Sequence, residues 1–256
     1  MRPRVLAAVA AAASVTLLVP SAASATHSWG GYHWARTSNP FTVRLGDNVS
    51  SQWDTSLQGA SADWTKSAVL DTSVVTGSTA PKNCRPTAGR VEVCNARYGN
   101  TGWLGVASIS VTGGVHITQG TVKLNDTYFS TSTYNTPAWR NLVTCQEIGH
   151  TLGLDHQDEN FTNANLGTCM DYTNSPGTNQ HPNKHDYDEL ALIYSHLDST
   201  TTVGAAARPG AAGAPASNDA SGWGRVVEGS RAAGHSTHVR DLGRGDLVVT
   251  FVTWAR

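Results

Sequence analysis

The apolar and polar positions along this chain predict an alternation of short strands and helices. Residues 41–45 alternate between apolar and polar side chains and end in a turn cluster, which predicts a strand. After Ser50 and Ser51, either of which can cap a helix, apolar residues recur every three to four positions. The helix that this spacing predicts would bury one face, made of Trp53, Leu57, Ala60, Trp64 and Ala68.

The middle of the chain predicts more strands, and the second half predicts two longer helices. The expected strands cover residues 70–76, 90–94, 106–111 and 121–124. Thr136 followed by Pro137 is typical of a helix start, and this helix is expected to continue to about Leu152. A last helix is expected over about 186–197. This order of elements predicts an α+β fold with a mixed sheet of about five strands.

The composition of the chain changes near Ser199. Residues 199–220 are rich in Gly, Ala, Pro, Ser and Thr and contain no aromatic residue, which predicts a flexible linker. The linker separates a block at 26–198 from a β-rich tail at 221–256, in which Gly243 and Gly245 indicate a hairpin. The tail is short for an independent domain. The sequence leaves open whether it adds strands to the main sheet or packs on its surface.

The first residues carry the pattern of an export signal. Arg2 and Arg4 precede an almost wholly apolar or small run over 5–19, and Ala23 and Ala25 give the small-x-small pattern that signal peptidase recognises. This run of 15 residues is shorter than the roughly 20 that cross a bilayer. The sequence therefore predicts a signal peptide over 1–25 and a secreted protein that has no membrane association once the signal is removed.

Charge and cysteine content narrow the class of function. The net charge is −1 and charged residues make up 14% of the chain, so neither nucleic acid nor an anionic membrane is expected as the main partner. With 39% apolar residues the chain can build a core. The 4 cysteines are an even number, which is compatible with disulfides in an exported protein.

The residues with distinctive chemistry lie in the run from 145 to 156. Gln146 and His150 are one helical turn apart and share a face, with Glu147 beside them. Gly153 can end the helix in a left-handed conformation, so that His156 returns toward His150. Each of these residues alone is ordinary. Together, they bring two imidazoles and a carboxylate to one place. This is the arrangement needed to bind a metal ion that activates water, with a general base beside it.

The spacing Glu147-x-x-His150-x-x-Gly153-x-x-His156, with Met170 fourteen residues further on, resembles the metzincin zinc peptidases. It is most similar to matrixin-like secreted bacterial members, over roughly residues 41–198. The resemblance implies a zincin-like twisted mixed sheet with an active-site helix, a Met-turn and a C-terminal helix. It also implies one catalytic zinc ion held by His150 and His156, with Glu147 as general base. We expect a monomer that cleaves protein or peptide substrates.

One position departs from the metzincin signature, because Gln146 stands where the family has a histidine. An amide oxygen reaches about as far as an imidazole nitrogen and is also neutral, but it is a poorer donor for zinc. Three outcomes stay open: Gln146 is a weak ligand, another group such as Asp158, His181 or His185 replaces it, or zinc is absent. The working hypothesis is a zinc ion held by the two motif histidines and Gln146.

The resemblance also implies a place for the substrate. Metzincins bind substrate as an extended strand along a sheet edge, and by resemblance that edge consists of Val106, Ala107, Ser108 and Ile109. The alternative is that these residues form an ordinary sheet strand, with which the sequence is equally compatible.

The cysteines fall into two neighbouring pairs. Cys84 and Cys94 flank a natural turn, while Cys145 precedes Gln146 and Cys169 precedes Met170. Three pairings are possible, and local pairing within each neighbouring pair is favoured. A bridge between Cys145 and Cys169 would support the site by tying the helix to the Met-turn, alongside the structural roles of Gly153 and Met170.

The leading hypothesis from the sequence is a secreted zinc endopeptidase. The alternative is a catalytically inactive metzincin relative that binds extracellular peptides or proteins in the same groove. A third hypothesis is an extracellular structural or cell-surface protein in which the tail at 221–256 is the functional part. Metal content and cleavage of a protein substrate separate the first two.

Overall fold

The computed structural model describes residues 27–206 and 217–256. The predicted signal peptide at 1–25 and the centre of the predicted linker lie outside these residues. Within them the predicted α+β class is confirmed, because helices pack against one mixed sheet.

The first part of the chain contributes six strands and four helices to the described residues. The strands are β1 His33–Trp34, β2 Phe41–Asn48, β3 Leu70–Thr76, β4 Val91–Ala96, β5 Trp103–Thr112 and β6 His116–Asn125. The helices are α1 Asp54–Trp64, α2 Asp126–Phe129, α3 Pro137–Thr151 and α4 Lys184–Ile193. Single turns of 3-10 helix cover Pro176–Thr178 and Ala220–Gly222. The tail then forms β7 Arg225–Ser230, β8 His235–Gly243 and β9 Asp246–Trp254.

The tail extends the main sheet, which answers the question that the sequence left open. Strands β3, β2, β4 and β6 run parallel side by side, and β5 is antiparallel to β6. These five strands agree with the expected number. Strand β9 then pairs antiparallel with β5, followed by β8 and β7, and β1 pairs with β6. The described residues thus form a sheet of nine strands.

Two predicted helices end earlier than their apolar spacing suggested. Helix α1 ends at Trp64, so Ala68 lies in the exposed turn before β3 instead of on the buried face. Helix α4 ends at Ile193, and Leu197 is exposed. The next residue, Tyr194, is buried, and its hydroxyl donates to the Leu152 carbonyl oxygen. The two-residue β1 and the four-residue α2 were not predicted, since such short elements carry no periodic signal.

The core lies on both faces of the sheet. The larger cluster packs α1, α3 and α4 onto it and includes the wholly buried Trp34, Trp53 and Trp64. A smaller cluster lies on the opposite face of β5 and β9 and consists of Trp103, Val106, Trp223, Val252 and Trp254. Three of these five residues come from the tail, so the tail shares a hydrophobic core with β5.

Both disulfides follow the local pairing that the sequence favoured. Cys84 is joined to Cys94 and Cys145 to Cys169, each with a Cα–Cα distance of 5.9 Å. Disulfides are typical of proteins in oxidising compartments. Among the described residues, no helix combines the length and the hydropathy needed to span a bilayer.

The start of the predicted linker is held against the body of the protein. The backbone amide of Thr202 donates to the carbonyl oxygen of Ala35 at 2.9 Å, and that of Gly204 donates to Gly89 at 2.8 Å. The predicted boundaries at 26–198, 199–220 and 221–256 stay predictions. Strand β9 of the tail pairs directly with β5 of the first block.

Candidate functional site

Helix α3 carries the first half of the motif into the interior. The Thr136 side chain accepts a hydrogen bond from the Trp139 amide at 3.3 Å, and Pro137 occupies the first turn, as the sequence predicted. At the other end of the helix, Gln146, Glu147 and His150 are at most 1% exposed. Burying three polar side chains together is costly unless they have partners or hold a ligand.

Two glycines bring the second half of the motif back to the helix. Gly153 has a φ of +102°, and a Cβ there would collide with the carbonyl oxygen of Tyr32. At Gly149 a Cβ would lie 2.7 Å from Met170 Sδ, so the Met-turn packs directly against α3. His156 consequently lies beside His150, with ring centroids 4.5 Å apart and planes at 84°.

His150 has the hydrogen bonding of a metal ligand. Its Nδ1 lies 2.9 Å from the Leu154 carbonyl oxygen, which can only accept, so Nδ1 carries the proton and Nε2 a free electron pair. Nε2 is buried and has no hydrogen-bond partner among the described residues. Burial, reinforced by the nearby charge of His156, lowers the pKa of His150 to about 3 and keeps the ring neutral. This imidazole therefore fits a zinc ion.

His156 is held between a phenol and two carboxylates. Its Nε2 lies 2.6 Å from the Tyr172 hydroxyl, and its Nδ1 lies 3.3 Å from Asp155 Oδ1 and 3.5 Å from Glu159 Oε1. Burial alone would lower the pKa of His156, but the two carboxylates outweigh it and raise the pKa to about 9. Zinc binding at His156 would therefore release a proton. Tyr172 was not predicted as a site residue, although it follows Met170 by only two positions.

Glu147 is a wholly buried carboxyl group with one oxygen free. Its Oε1 lies 2.8 Å from Thr253 Oγ1, while its Oε2 has no hydrogen-bond partner among the described residues. Burial raises the pKa of Glu147 to about 8, against the opposing effect of the Thr253 hydroxyl. A carboxyl group whose pKa is near neutrality can both take up and release a proton, as a general base that later acts as an acid must.

Gln146 is engaged on both sides of its amide. Its Nε2 donates to the Cys169 carbonyl oxygen at 2.9 Å, and its Oε1 lies 2.9 Å from Thr253 Oγ1. The Thr253 hydroxyl has one proton to donate but lies within hydrogen-bond distance of two acceptors, Gln146 Oε1 and Glu147 Oε1. If Glu147 is protonated, it can donate to Thr253 Oγ1, and the Thr253 proton is then available to Gln146. Gln146 Oε1, the atom that could bind a metal ion, is therefore the atom that Thr253 of the tail contacts.

The three residues considered as replacements for Gln146 have other contacts. His181 Nδ1 lies 2.6 Å from Asp63 Oδ2, and the His185 ring stacks on His27 at 4.8 Å. The Asp158 carboxylate accepts from the Asn160 amide at 2.7 Å through Oδ1. Gln146 thus stays the candidate for a third ligand, beside the two motif histidines.

The tail covers the strand that was expected to bind substrate. Residues Val106, Ala107, Ser108 and Ile109 lie in β5 and pair in register with Val252, Phe251, Thr250 and Val249 of β9. The expectation of an open edge is therefore wrong for this structure, because β5 has a neighbour on each side. The sequence did not show this, since strand pairing between residues so far apart has no local signature.

Side chains of the tail reach the motif residues themselves. The Phe251 ring stacks on the His150 ring, with centroids 4.3 Å apart and an interplanar angle of 5°. His235 of β8 stacks on Tyr172 at 4.8 Å and lies 3.2 Å from Glu159 Oε2. Together with Thr253, these residues close the site with groups from the last 22 positions of the chain.

The disulfide beside the site makes a testable contribution to stability. Because the bridge between Cys145 and Cys169 closes a separation of 24 residues, replacing both with serine should lower the free energy of unfolding by about 2–4 kcal/mol. Urea unfolding measures this loss. The matched control replaces Cys84 and Cys94 with serine. Their bridge closes a separation of only 10 residues, so its loss should lower the free energy of unfolding by less. Equal urea midpoints for the Cys145/Cys169 variant and wild type would contradict the prediction.

Comparisons with known proteins give similarity only to solved structures. No family model matches the chain, and no curated protein does. Two structures of myroilysin match with 15% and 14% identity, TM-scores of 0.37 and 0.35, and coverage of 62% and 70% of this chain and 82% and 89% of theirs. High choriolytic enzyme 1, a hatching enzyme zinc-protease from medaka fish (Oryzias latipes), matches with 10% identity, a TM-score of 0.35, and coverage of 64% and 94%. TM-scores this low carry no argument about activity, and the matrixin-like assignment stays a prediction.

Proposed function

We propose that this chain is a secreted, monomeric zinc endopeptidase whose active site is closed by its own C-terminal strand. The observation that carries the proposal is the pair of free buried atoms, Glu147 Oε2 and His150 Nε2. Other buried polar atoms among the described residues also lack a partner, but these two are a carboxylate oxygen and an imidazole nitrogen one turn apart on α3, the types of group that a metal-activated water requires. The two disulfides support export to an oxidising compartment.

The residues of the site have distinct roles in this proposal. His150, His156 and Gln146 would hold the zinc ion, which supplies a Lewis acid that polarises a carbonyl group and activates water. Glu147 takes a proton from the attacking water at Oε2 and delivers it to the leaving amine. The Tyr172 hydroxyl lies 2.6 Å from His156 Nε2 and would have to turn away before this nitrogen binds zinc, since the Nδ1 atom of the ring faces two carboxylates. Met170 and the Cys145–Cys169 bridge hold the floor of the site against α3.

Strand β9 indicates how a substrate would bind. It lies antiparallel to β5 through main-chain pairing, with its alternate side chains directed to the two faces of the sheet. An extended peptide can form the same pairing, because main-chain hydrogen bonds do not depend on sequence. The substrate is therefore an extended segment of a protein or peptide. It would pair with β5 in the place of β9, once β9 has moved away.

Replacing Gln146 with histidine tests the metal site directly. If position 146 faces the metal, the Gln146→His chain should bind zinc at least tenfold more tightly, because imidazole is the better donor. Competition with a zinc-sensitive dye measures the affinity, and His181→Gln is the control, since it changes a histidine that lies beside Asp63. An unchanged zinc affinity for Gln146→His would remove position 146 from the ligand set.

One observation favours the inactive binding protein as a second candidate. Both polar atoms of the Gln146 amide have partners within the chain, and Thr253 is one of them, as expected for a side chain with a structural role. Cleavage of a dye-labelled protein by the zinc-loaded chain, inhibited by a chelator, supports the peptidase. Binding of an extended peptide without cleavage supports the second candidate.

A further inference from the structure

A second group of metal-ligating side chains lies where β1, the start of β6 and the segment after α4 meet. His33 belongs to β1 and is paired in register with His116 of β6. His196 and Asp198 follow the end of α4. His33 and His196 are 163 residues apart in sequence, so only the tertiary structure brings them together. None of the four residues belongs to the motif on α3.

The ligating atoms converge with the spacing that a zinc ion requires. His33 Nε2 lies 3.1 Å from His196 Nε2 and 3.5 Å from Asp198 Oδ1. His196 Nε2 lies 3.8 Å from the same carboxylate oxygen. Ligand atoms on a tetrahedral zinc ion are separated by about 3.3 Å, given zinc–ligand distances of about 2.0–2.1 Å. These three atoms therefore approximate three corners of such a tetrahedron.

The surroundings of the cluster orient its donors toward the shared centre. His33 Nδ1 lies 2.9 Å from the Gly31 carbonyl oxygen, so it carries the proton and leaves an electron pair on Nε2. Asp198 Oδ2 accepts from Arg36 Nη1 at 2.9 Å and from the Arg36 amide at 3.2 Å, which leaves Oδ1 facing the histidines. Burial is the main cause that lowers the pKa of His33, and the neutral imidazole is the form that binds metals.

We propose that His33, His196 and Asp198 bind a zinc ion, with His116 or water in the fourth position. His116 Nε2 already lies 3.2 Å from Asp198 Oδ1, and its side chain is 30% exposed, which leaves it room to turn. The His196 side chain is 49% exposed, so an ion can enter from solvent. Two imidazoles and a carboxylate are ligands that zinc accepts.

The role of this ion is structural. It joins β1 to the segment after α4, and thereby holds the N-terminal segment that lies along the loop after α3. In that segment, the Trp29 amide donates to the Gly153 carbonyl oxygen at 3.3 Å, and Ser28 bridges to Leu154. Zinc at the cluster would therefore support the turn that carries His156 toward His150, without contacting substrate.

Zinc titration of the full chain tests the cluster independently of peptidase activity. The His156→Ala variant, freed of metal by a chelator, removes the contribution of the candidate active site and should bind one zinc ion in calorimetry. Adding His196→Asn should abolish this binding or weaken it at least tenfold. Adding His181→Asn instead should leave it unchanged, because this exposed histidine also lies beside a carboxylate, Asp63, but outside the cluster. Zinc should also slow amide hydrogen exchange at 33–36 only where His196 is retained.

Two results would overturn the proposal. The first is equal zinc affinity with and without His196→Asn. The second is no zinc binding to His156→Ala, which would identify the cluster as a hydrogen-bond network of histidines around Asp198. Since the His196 side chain is half exposed, its replacement should leave folding intact, and circular dichroism of both variants checks this. A failure of the proposed peptidase activity changes neither measurement.

Discussion

Replacing Phe251 with alanine and Thr253 with valine in the same chain is expected to raise peptidase turnover by at least tenfold. The double change removes the ring that stacks on His150 and the hydroxyl that contacts Gln146 and Glu147. Truncating a buried phenylalanine costs about 3–5 kcal/mol, and this loss falls on the closed arrangement of β9. Because each 1.4 kcal/mol changes an equilibrium about tenfold, the open population should rise strongly.

We call the chain with both Phe251→Ala and Thr253→Val the released chain. Its turnover is measured as kcat/KM on an extended fluorogenic peptide in the presence of zinc. Val226→Ala is the matched control, since Val226 lies in β7 of the same tail but is exposed and separated from β9 by β8. Hydrogen exchange at residues 249–253 reports whether β9 has loosened. Faster exchange there with turnover still at the wild-type rate would show that β9 does not limit access to the site.

Replacing Glu147 with glutamine in the released chain is expected to lower turnover by about 10²–10⁴-fold, the contribution typical of a general acid–base group. Glutamine has nearly the same shape and volume as glutamate, so the fold and the zinc content should hardly change. The decisive comparison is turnover against metal content in the same preparation. A loss of turnover at constant zinc assigns Glu147 to proton transfer and not to metal binding.

Glu92→Gln provides the control for loss of a buried carboxylate. Glu92 is also wholly buried, in β4, where it contacts Arg90 and accepts from Asn48 and Ser78. Its replacement should lower stability but leave turnover per folded chain unchanged, because the side-chain partners of Glu92 named above are not residues of the motif on α3. If Glu147→Gln retained more than a tenth of the turnover, another group would have to act as the base.

Much of the fold could be predicted from local sequence. The β3 strand was predicted with its observed bounds, and α3 was predicted within one residue of its end, because Thr136, Pro137 and Gly153 define a helix start and stop. The pairing of the cysteines was also favoured correctly, since each pair is close in sequence. These features depend on contacts between near neighbours, which a sequence shows directly.

The sequence by itself determined the motif on α3, the turn at Gly153 and the departure at Gln146. Only the tertiary structure decided what surrounds them. It placed β9 on β5, brought Phe251 and Thr253 onto the motif, and joined His33 to His196 across most of the chain. The physical reason is that periodicity and turn chemistry act over a few residues, whereas strand neighbours and side-chain clusters are chosen by burial and pairing across the whole fold.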